Sequence, residues 1–221
     1  MNDKPLAERL AELRQWLARE RPQIAQAYDR MVEHLARSGA GAGALRAGDA
    51  MPAFGLTAAD GRFITSAELL STGPLVLSFY RGAWCSYCQT ELTALRDAHD
   101  AIVAQGGRVA VVSGEIGGRG VAVARQHGLP FDVLSDVDLG LALAFGLVIS
   151  VPAEVREIYE HLGYDLAQIN GNPSWFLPIP ATYVVSRDGG IAAAFVEPDF
   201  RYRMDPAEIL ATLARLKAAT A

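Results

Sequence analysis

The chain has 221 residues, a formal net charge of −5 and an apolar fraction of 51%. This length suits one domain with additions or at most two small domains, and the apolar fraction allows a sizeable core. The acidic balance argues against a nucleic-acid partner, which would favour a basic face, but excludes no small neutral substrate. No apolar run approaches the roughly 18 residues of a membrane-spanning helix, and the charged N-terminal segment shows no secretory signal. We therefore expect a cytoplasmic protein with no membrane partner.

Two amphipathic helices are predicted in an N-terminal helical extension over residues 1–38. The apolar positions at helical spacing are Leu6, Leu10, Leu13 and Leu17 in the first helix, and Ile24, Tyr28, Met31 and Leu35 in the second. Pro22 would end one helix or open the next. The extension could act as a dimerisation hairpin or a substrate lid, but such an apolar stripe more often simply packs on the main domain. Residues 39–44 are predicted as a linker to a domain over 45–221.

From residue 45 the pattern is mixed α/β, with alternating strand and helix signals and an insertion before the end. The predicted elements in chain order are a hairpin over 54–64, a short helix capped by Thr65 and Glu68, a strand over 75–80, a helix over 88–104, a strand over 109–112, a helix ending at His127, a strand over 131–134, a helix over 136–145, an inserted helix over 152–162, a hairpin over 181–195, and a last helix opened by Asp205 and Pro206.

The only two cysteines of the chain lie in Cys85-Ser86-Tyr87-Cys88, between the strand over 75–80 and the following helix. This junction is the carboxyl edge of a parallel sheet, where open α/β folds place their chemistry. A helix N-terminus stabilises a thiolate, and such settings lower a cysteine pKa from about 8.5 to roughly 3.5–7.5. In a chain without an export signal, the pair indicates catalysis or metal binding instead of a structural disulfide.

Three segments together resemble a known family. Residues 80–88, YRGAWCSYC, are similar to the thioredoxin active site, residues 48–54 to the opening segment of peroxiredoxins, and residues 179–183 to a proline-bearing strand of thioredoxin-like proteins. Over roughly 45–216 the chain resembles the alkyl hydroperoxide reductase/thiol-specific antioxidant family of the thioredoxin superfamily. The resemblance implies a thioredoxin-like α/β fold, a central mixed sheet flanked by helices, with the helical extension and insertion added. It also implies that Pro180 is held in cis beside the dithiol.

The peroxiredoxin signature Pro-x-x-x-Thr-x-x-Cys is altered in this chain. Aligned on the end of the strand over 75–80, the signature proline, the threonine, the peroxide-attacking cysteine and a later arginine fall on Arg81, Cys85, Cys88 and Pro180. Three of these positions are changed, although Arg81 could restore a guanidinium. Glu91 keeps an acidic residue three places after Cys88. It most simply favours a first helical turn, and alternatively relays protons to Cys88.

The altered signature favours a thiol-disulfide oxidoreductase that serves antioxidant or redox homeostasis. Cys85, the more exposed sulfur, would attack a protein or small-molecule disulfide as a thiolate, and Cys88 would resolve the mixed disulfide. Trp84 would shield the site, with Tyr87 between the two cysteines. Pro180 would offer backbone to an incoming partner.

The alternative function is a thiol-dependent peroxidase. One cysteine would attack the O–O bond of hydrogen peroxide or an alkyl hydroperoxide, and the other would condense with the resulting sulfenic acid. Arg81 would stabilise the leaving oxygen, with Arg201 or Arg203 as further candidates. Each of the latter two, taken alone, is more often a surface charge or a partner of Asp199 or Asp205.

No cofactor or metal is expected. Zinc needs four ligands, and the four histidines (His34, His99, His127 and His161) form no second pair beside the cysteines. In either redox function an external thiol reductant such as thioredoxin would restore the dithiol. The pattern leaves a homodimer open.

The dithiol interpretation predicts different outcomes for the two cysteine variants. Cys85→Ser should abolish disulfide reduction, because it removes the attacking sulfur. Cys88→Ser should instead trap a mixed disulfide with the partner, which a non-reducing gel detects. The reverse pattern would assign the attack to Cys88.

Overall fold

The computed structural model describes residues 4–219, so residues 1–3 of the predicted extension and residues 220–221 lie outside it. The helices in this range are α1 Leu6–Glu20, α2 Pro22–Arg37, α3 Ser66–Leu70, α4 Ser86–Ala104, α5 Arg119–His127, α6 Gly140–Ala144, α7 Ala153–His161, α8 Leu166–Asn170 and α9 Pro206–Ala219. The strands are β1 Gly55–Ala58, β2 Phe63–Thr65, β3 Leu75–Phe79, β4 Arg108–Ser113, β5 Asp132–Ser135, β6 Val148–Ser150, β7 Phe176–Pro178, β8 Ala181–Val185 and β9 Ile191–Val196. Within residues 4–219, no helix is both long and apolar enough to cross a membrane.

A mixed sheet of the order β2-β1-β5-β4-β3-β8-β9 forms the centre of the molecule. Strands β3, β4 and β5 run parallel, and β8 pairs antiparallel with β3. All five residues of β3 are buried, as expected for a strand covered on both faces. The α/β architecture with a central mixed sheet flanked by helices is therefore confirmed, and the dithiol follows its central strand.

Most predicted elements are present, and local signals explain them. Strands β1 and β2 form the expected hairpin, and Thr65 and Glu68 form the complete capping box of α3. Gly128 ends α5 in the left-handed conformation. These signals depend on neighbouring residues only, so they can be recognised in the sequence.

The predicted helix over 136–145 is wrong in part. Residues Val137–Leu139 form a 3-10 turn, in which Asp138 and Leu139 have φ of 60° and 59°. The Asp136 carboxylate accepts hydrogen bonds from the N–H groups of Leu141 (2.9 Å) and Ala142 (2.8 Å), so it caps a separate α6. The inserted region also contains the β6–β7 pair and α8, which were not predicted.

The N-terminal extension packs beside the dithiol helix. Helix α1 packs against α2 and α4, and α2 packs against the inserted α7. Leu10, Met31 and Leu35 are buried in the core. Residues 38–44 form consecutive turns. The packing that the apolar stripe predicts thus places the extension directly over the start of α4.

Substitution of Gly146 tests the packing of these turns. It has φ +71°, and a Cβ added there would lie 2.4 Å from the carbonyl oxygen of Gly43. Gly128 has a similar φ of +58°, but a Cβ would meet nothing within 4 Å. Gly128→Ala should therefore cost about 1–2 kcal/mol from the left-handed conformation alone, and Gly146→Ala should cost clearly more. Urea unfolding measures both, and equal losses would contradict this packing.

Candidate active site

The two cysteines lie at the start of α4, where β3 ends. Cys85 is the N-cap residue, with extended backbone (φ −89°, ψ 112°), and Cys88 lies in the first turn. The first N–H groups of a helix have no intrahelical acceptor, so they provide partial positive charge at this point. Cys85 is 5% exposed, whereas Cys88 is 0% exposed. Both are free thiols.

Cys85 opens into a cavity of about 300 Å³ that we call the Cys85 pocket. The side chains around its buried end are Tyr28, Arg81, Trp84, Tyr87 and Phe200, together with Cys85 itself. Its rim is formed by residues of α1 and α2 and by residues that follow α7. A small molecule that enters this pocket would therefore meet Cys85 before it met Cys88.

The surroundings favour a thiolate at Cys85. Burial raises its pKa, but hydrogen bonding from Cys88 and the positive charges of Arg81 and Arg203 outweigh burial and lower the pKa to about 6. A thiolate, and not a thiol, is the nucleophile in cysteine chemistry. With a pKa of about 6, Cys85 is mostly a thiolate at neutral pH.

Cys88 has the opposite protonation state. Burial raises the pKa of Cys88 well above its usual value, and the hydrogen bond to Cys85 and the negative charge there raise it further. Arg203 donates through Nη2 to the sulfur of Cys88 at 3.4 Å. The pair thus combines a thiolate at the pocket with a protonated thiol behind it, as attack followed by resolution requires.

A buried ion pair supports Arg203. Its Nε donates to Oε2 of Glu91 at 2.5 Å, and both side chains are almost fully buried. Nη1 donates to the carbonyl oxygens of Phe200 and Tyr202. Burial of a guanidinium is tolerable when its donors are paired in this way, so Glu91 is what allows Arg203 to lie against Cys88.

Glu91 also receives hydrogen bonds from the sheet. The hydroxyl groups of Ser78 (3.1 Å) and Thr182 (3.2 Å), which are register partners on β3 and β8, donate to Oε1. Burial raises the pKa of Glu91, whereas the charge and the hydrogen bond of Arg203 lower it, and burial has the larger effect. The expectation that Glu91 stabilises a first helical turn is wrong, because α4 already begins at Ser86 and Glu91 lies beyond its first turn.

Arg81 forms the second positive charge of the site. It is 2% exposed, and its guanidinium carbon lies 4.0 Å from the ring centre of Phe200 and 4.9 Å from that of Trp84. Within residues 4–219, its one side-chain hydrogen bond is the donation to the hydroxyl of Tyr159 on α7. Its Nε is buried without a partner. Arg81 therefore keeps donors available for an oxygen atom in the pocket.

The other predicted site residues are placed as follows. Trp84 is half-buried and packs edge-on against Tyr159, with ring centres 5.0 Å apart, so it forms a wall of the pocket. Tyr87 packs against Phe200, and burial raises its pKa to about 12. Pro180 is buried before β8 and does not line the pocket. The implied cis bond is wrong, because every peptide bond within residues 4–219 is trans.

Arg201 is directed away from the sulfurs. It donates to Asp199 at 2.7 and 2.8 Å and to Asp29 of α2 at 2.5 Å. The pairing with Asp199 that the sequence indicates is thus present, and Arg201 ties the extension to the loop before α9. Arg203, in contrast, lies at the dithiol. Among residues 4–219, no group of three or more His, Cys, Asp and Glu side chains is arranged to hold a metal ion.

Sequence reasoning missed Tyr28, Tyr159 and Phe200 as site residues. Tyr28 belongs to the apolar stripe predicted for the second helix, and Tyr159 lies in the predicted inserted helix over 152–162. Both side chains are buried. No local signal shows that these faces meet at Arg81. Phe200 adjoins Arg201 and Arg203 in the sequence, and an aromatic residue beside two arginines is the one available hint.

The family model described as "AhpC/TSA family" matches residues 47–194, which is more than half of the chain. The chain belongs to the AhpC/TSA family. It is therefore an enzyme of the thiol-dependent oxidoreductase class, with a C-x-x-C dithiol. None of the curated proteins that were compared matches its sequence.

Three solved structures that resemble this AhpC/TSA protein in fold are distant from it in sequence. Peroxidoxin BcpB from Mycobacterium tuberculosis is 20% identical over 77% of this chain and 97% of its own, with a TM-score of 0.61. AhpC of the same organism is 21% identical over 80% and 95%, with a TM-score of 0.60. Peroxiredoxin 6 of Arenicola marina, in mutant form, is 16% identical over 80% and 75%, with a TM-score of 0.62. At such identities the likeness shows the thioredoxin-like fold alone.

The lowered pKa of Cys85 predicts a pH-dependent reactivity. In the reduced wild-type protein, alkylation of Cys85 by iodoacetamide, followed by peptide mass spectrometry, should rise between about pH 5 and pH 7 and level off above, because the thiolate forms near pH 6. Adding Arg81→Met should raise the pKa of Cys85 by roughly 1 to 3, since an opposite charge is lost. The exposed Arg125→Met is the matched control and should leave the profile unchanged. A midpoint near pH 8.5 in the alkylation profile of Cys85, with Arg81 and Arg125 intact, would contradict the account.

The Arg203–Glu91 pair predicts coupled losses of stability. Arg203→Met should lower the free energy of unfolding by about 3–5 kcal/mol, because it leaves the buried Glu91 carboxylate uncompensated. Combining it with Glu91→Gln should recover part of that loss. Urea unfolding of the two single variants and the double variant measures the coupling. Strictly additive losses would show that the two side chains do not act as a pair.

Proposed function

We propose that the protein is a thiol-dependent peroxidase in which Cys85 attacks a small hydroperoxide and Cys88 resolves the product as an intramolecular disulfide. The observation that carries this proposal is the position of Cys85, 5% exposed at the buried end of a pocket of about 300 Å³. A small molecule can enter such a pocket, whereas a disulfide held on a folded protein cannot reach its sulfur without displacing α1 and α2. This position of Cys85 supports the peroxidase, whereas the altered signature favours the thiol-disulfide oxidoreductase.

The proposed reaction balances with Cys85, Cys88 and one hydroperoxide as the reactants. The Cys85 thiolate attacks the terminal oxygen of ROOH, the O–O bond breaks, and RO⁻ leaves and takes up a proton as ROH. The sulfenic acid on Cys85 then accepts the attack of Cys88, which forms the S–S bond and releases water. In total, two thiols and one hydroperoxide give one disulfide, one alcohol and one water.

The two arginines have separate parts in these steps. Arg81, which lines the pocket, supplies N–H donors to the oxygen that departs as charge builds on it. Arg203 lies against Cys88 and favours its thiolate once Cys85 is no longer charged. Glu91 holds Arg203 in place and is a candidate to accept the proton that Cys88 gives up, which extends the proton-relay role considered for it.

Reduction of a disulfide small enough to enter the pocket is the second candidate. It is favoured by the placement of both cysteines in the first turn of α4 after Trp84, as in the thioredoxin motif. In both cases an external thiol reductant such as thioredoxin would regenerate the dithiol. The cytoplasm is a compartment that keeps such a pair reduced, and we place the protein there. The homodimer that the sequence leaves open stays a prediction.

A comparison of the rates at which different oxidants react with the reduced protein tests the proposal. The reduced protein is mixed in stopped flow with hydrogen peroxide, a small organic hydroperoxide or insulin. The change in tryptophan fluorescence, to which Trp16 and Trp84 at the pocket contribute, follows the oxidation of Cys85. We expect at least one hydroperoxide to oxidise Cys85 several orders of magnitude faster than it oxidises a free thiolate, with one disulfide formed per peroxide. Cys88→Ser should retain the first step, and Cys85→Ser should lose it. Fast reduction of insulin with peroxide reactivity no greater than that of a free thiolate would overturn the proposal.

A further inference from the structure

The rim of the Cys85 pocket is formed mostly by the N-terminal extension, which precedes the segment matched by the family model, and partly by residues that follow α7. The rim side chains that the argument uses are Leu13, Trp16, Leu17, Arg21, Ile24 and Leu162. Five of the six are apolar. The volume of about 300 Å³ lies at the lower end of the range for sites that bury small organic ligands.

Two large apolar side chains at the rim are exposed to solvent. Trp16 on α1 is 47% exposed, and Leu162, which follows α7, is 40% exposed. Both line the same pocket although they come from distant parts of the chain. Exposed apolar groups that converge on a concave site indicate an apolar ligand. Hydrogen peroxide has no apolar part, so these apolar side chains would not strengthen its binding.

The rim also carries one positive charge without a partner. Arg21 lies between α1 and α2, is exposed, and its side chain makes no ion pair or hydrogen bond with any residue in the described range 4–219. Glu20, its neighbour in the chain, pairs with Arg19 at 4.0 Å, and Asp29 of α2 pairs with Arg201. A carboxylate at the rim would therefore find an available guanidinium.

These observations describe three zones along one cavity, and we propose that the pocket binds an amphipathic organic hydroperoxide that carries a carboxylate. Its peroxide group lies at Cys85 and Arg81, its apolar body lies against α1 and α2, and its carboxylate pairs with Arg21. The N-terminal extension is thus a substrate-binding element as well as a packing element. This inference rests on the peroxidase function proposed above, and it adds the substrate class.

A binding test that needs no peroxide chemistry examines the carboxylate site. Decanoate and decanol are compared as protectants of Cys85 against iodoacetamide in the reduced wild-type protein. We expect decanoate to protect at a concentration roughly tenfold lower than decanol. Arg21→Gln should weaken protection by decanoate about five- to tenfold, the effect of one charged hydrogen bond at a partly exposed site, and leave decanol unchanged. Arg19→Gln, an equal loss of charge outside the pocket, is the matched control.

An oxidation test then examines the substrate class. The rates of Cys85 oxidation are measured with a fatty-acid hydroperoxide, its methyl ester and hydrogen peroxide. The free acid should react faster than the ester and faster than hydrogen peroxide in the wild type, and Arg21→Gln should remove the advantage over the ester. Trp16→Ala should slow the acid and the ester alike, and by a larger factor than it slows hydrogen peroxide.

The outcomes separate this inference from the peroxidase function. Oxidation by hydrogen peroxide with equal protection by decanoate and decanol, or with Arg21→Gln and Arg19→Gln behaving alike, would overturn the inference alone. Protection by decanoate that depends on Arg21, without oxidation by any hydroperoxide, would leave a carboxylate site and overturn the peroxidase function.

Discussion

A thiolate that is only 5% exposed needs positive charge beside it, and the two buried arginines meet this need. With Cys85 ionised, the cluster of Cys85, Glu91, Arg81 and Arg203 carries two negative and two positive charges. Protonation of Cys85 would leave a buried positive charge unmatched, which is unfavourable in a medium of low dielectric constant. The low pKa of Cys85 is therefore a property of the whole cluster as well as of the helix N-terminus.

The additions to the family fold surround this cluster. Helix α7 supplies Tyr159, which accepts a hydrogen bond from Arg81, and α2 supplies Tyr28 at the buried end of the pocket. The placement of Arg81 in this cluster also bears on the altered peroxiredoxin signature. Arg81 stands where the family proline would be, and it brings a guanidinium from the strand end, whereas Pro180 stands where the family arginine would be. Arg81 and Arg203 thus supply the positive charge beside the sulfurs.

Local signals explain what the sequence could predict. Strand β3, the C-x-x-C turn and α4 follow one another, so their chemistry is visible within a short window. Arg203 is among the candidates that the sequence offers, but its contact with Cys88 could not be predicted, because the two residues are 115 positions apart and the acidic neighbours of Arg203 offer a local explanation for its charge. That explanation holds for Arg201, whose side chain pairs with Asp199, and fails for Arg203. The positive φ values of Asp138 and Leu139 interrupt the predicted helix. The hydrophobic periodicity of the sequence carries no signal of this interruption.

The identity of the attacking sulfur is the claim on which the account depends, because alignment with the family signature would assign the attack to Cys88. Dimedone trapping after brief exposure to a hydroperoxide, followed by peptide mass spectrometry, measures it in the two single-cysteine variants. The account predicts a sulfenic acid adduct on Cys85 in Cys88→Ser and little or none on Cys88 in Cys85→Ser. An adduct on Cys88, with Cys85 unmodified, would contradict it.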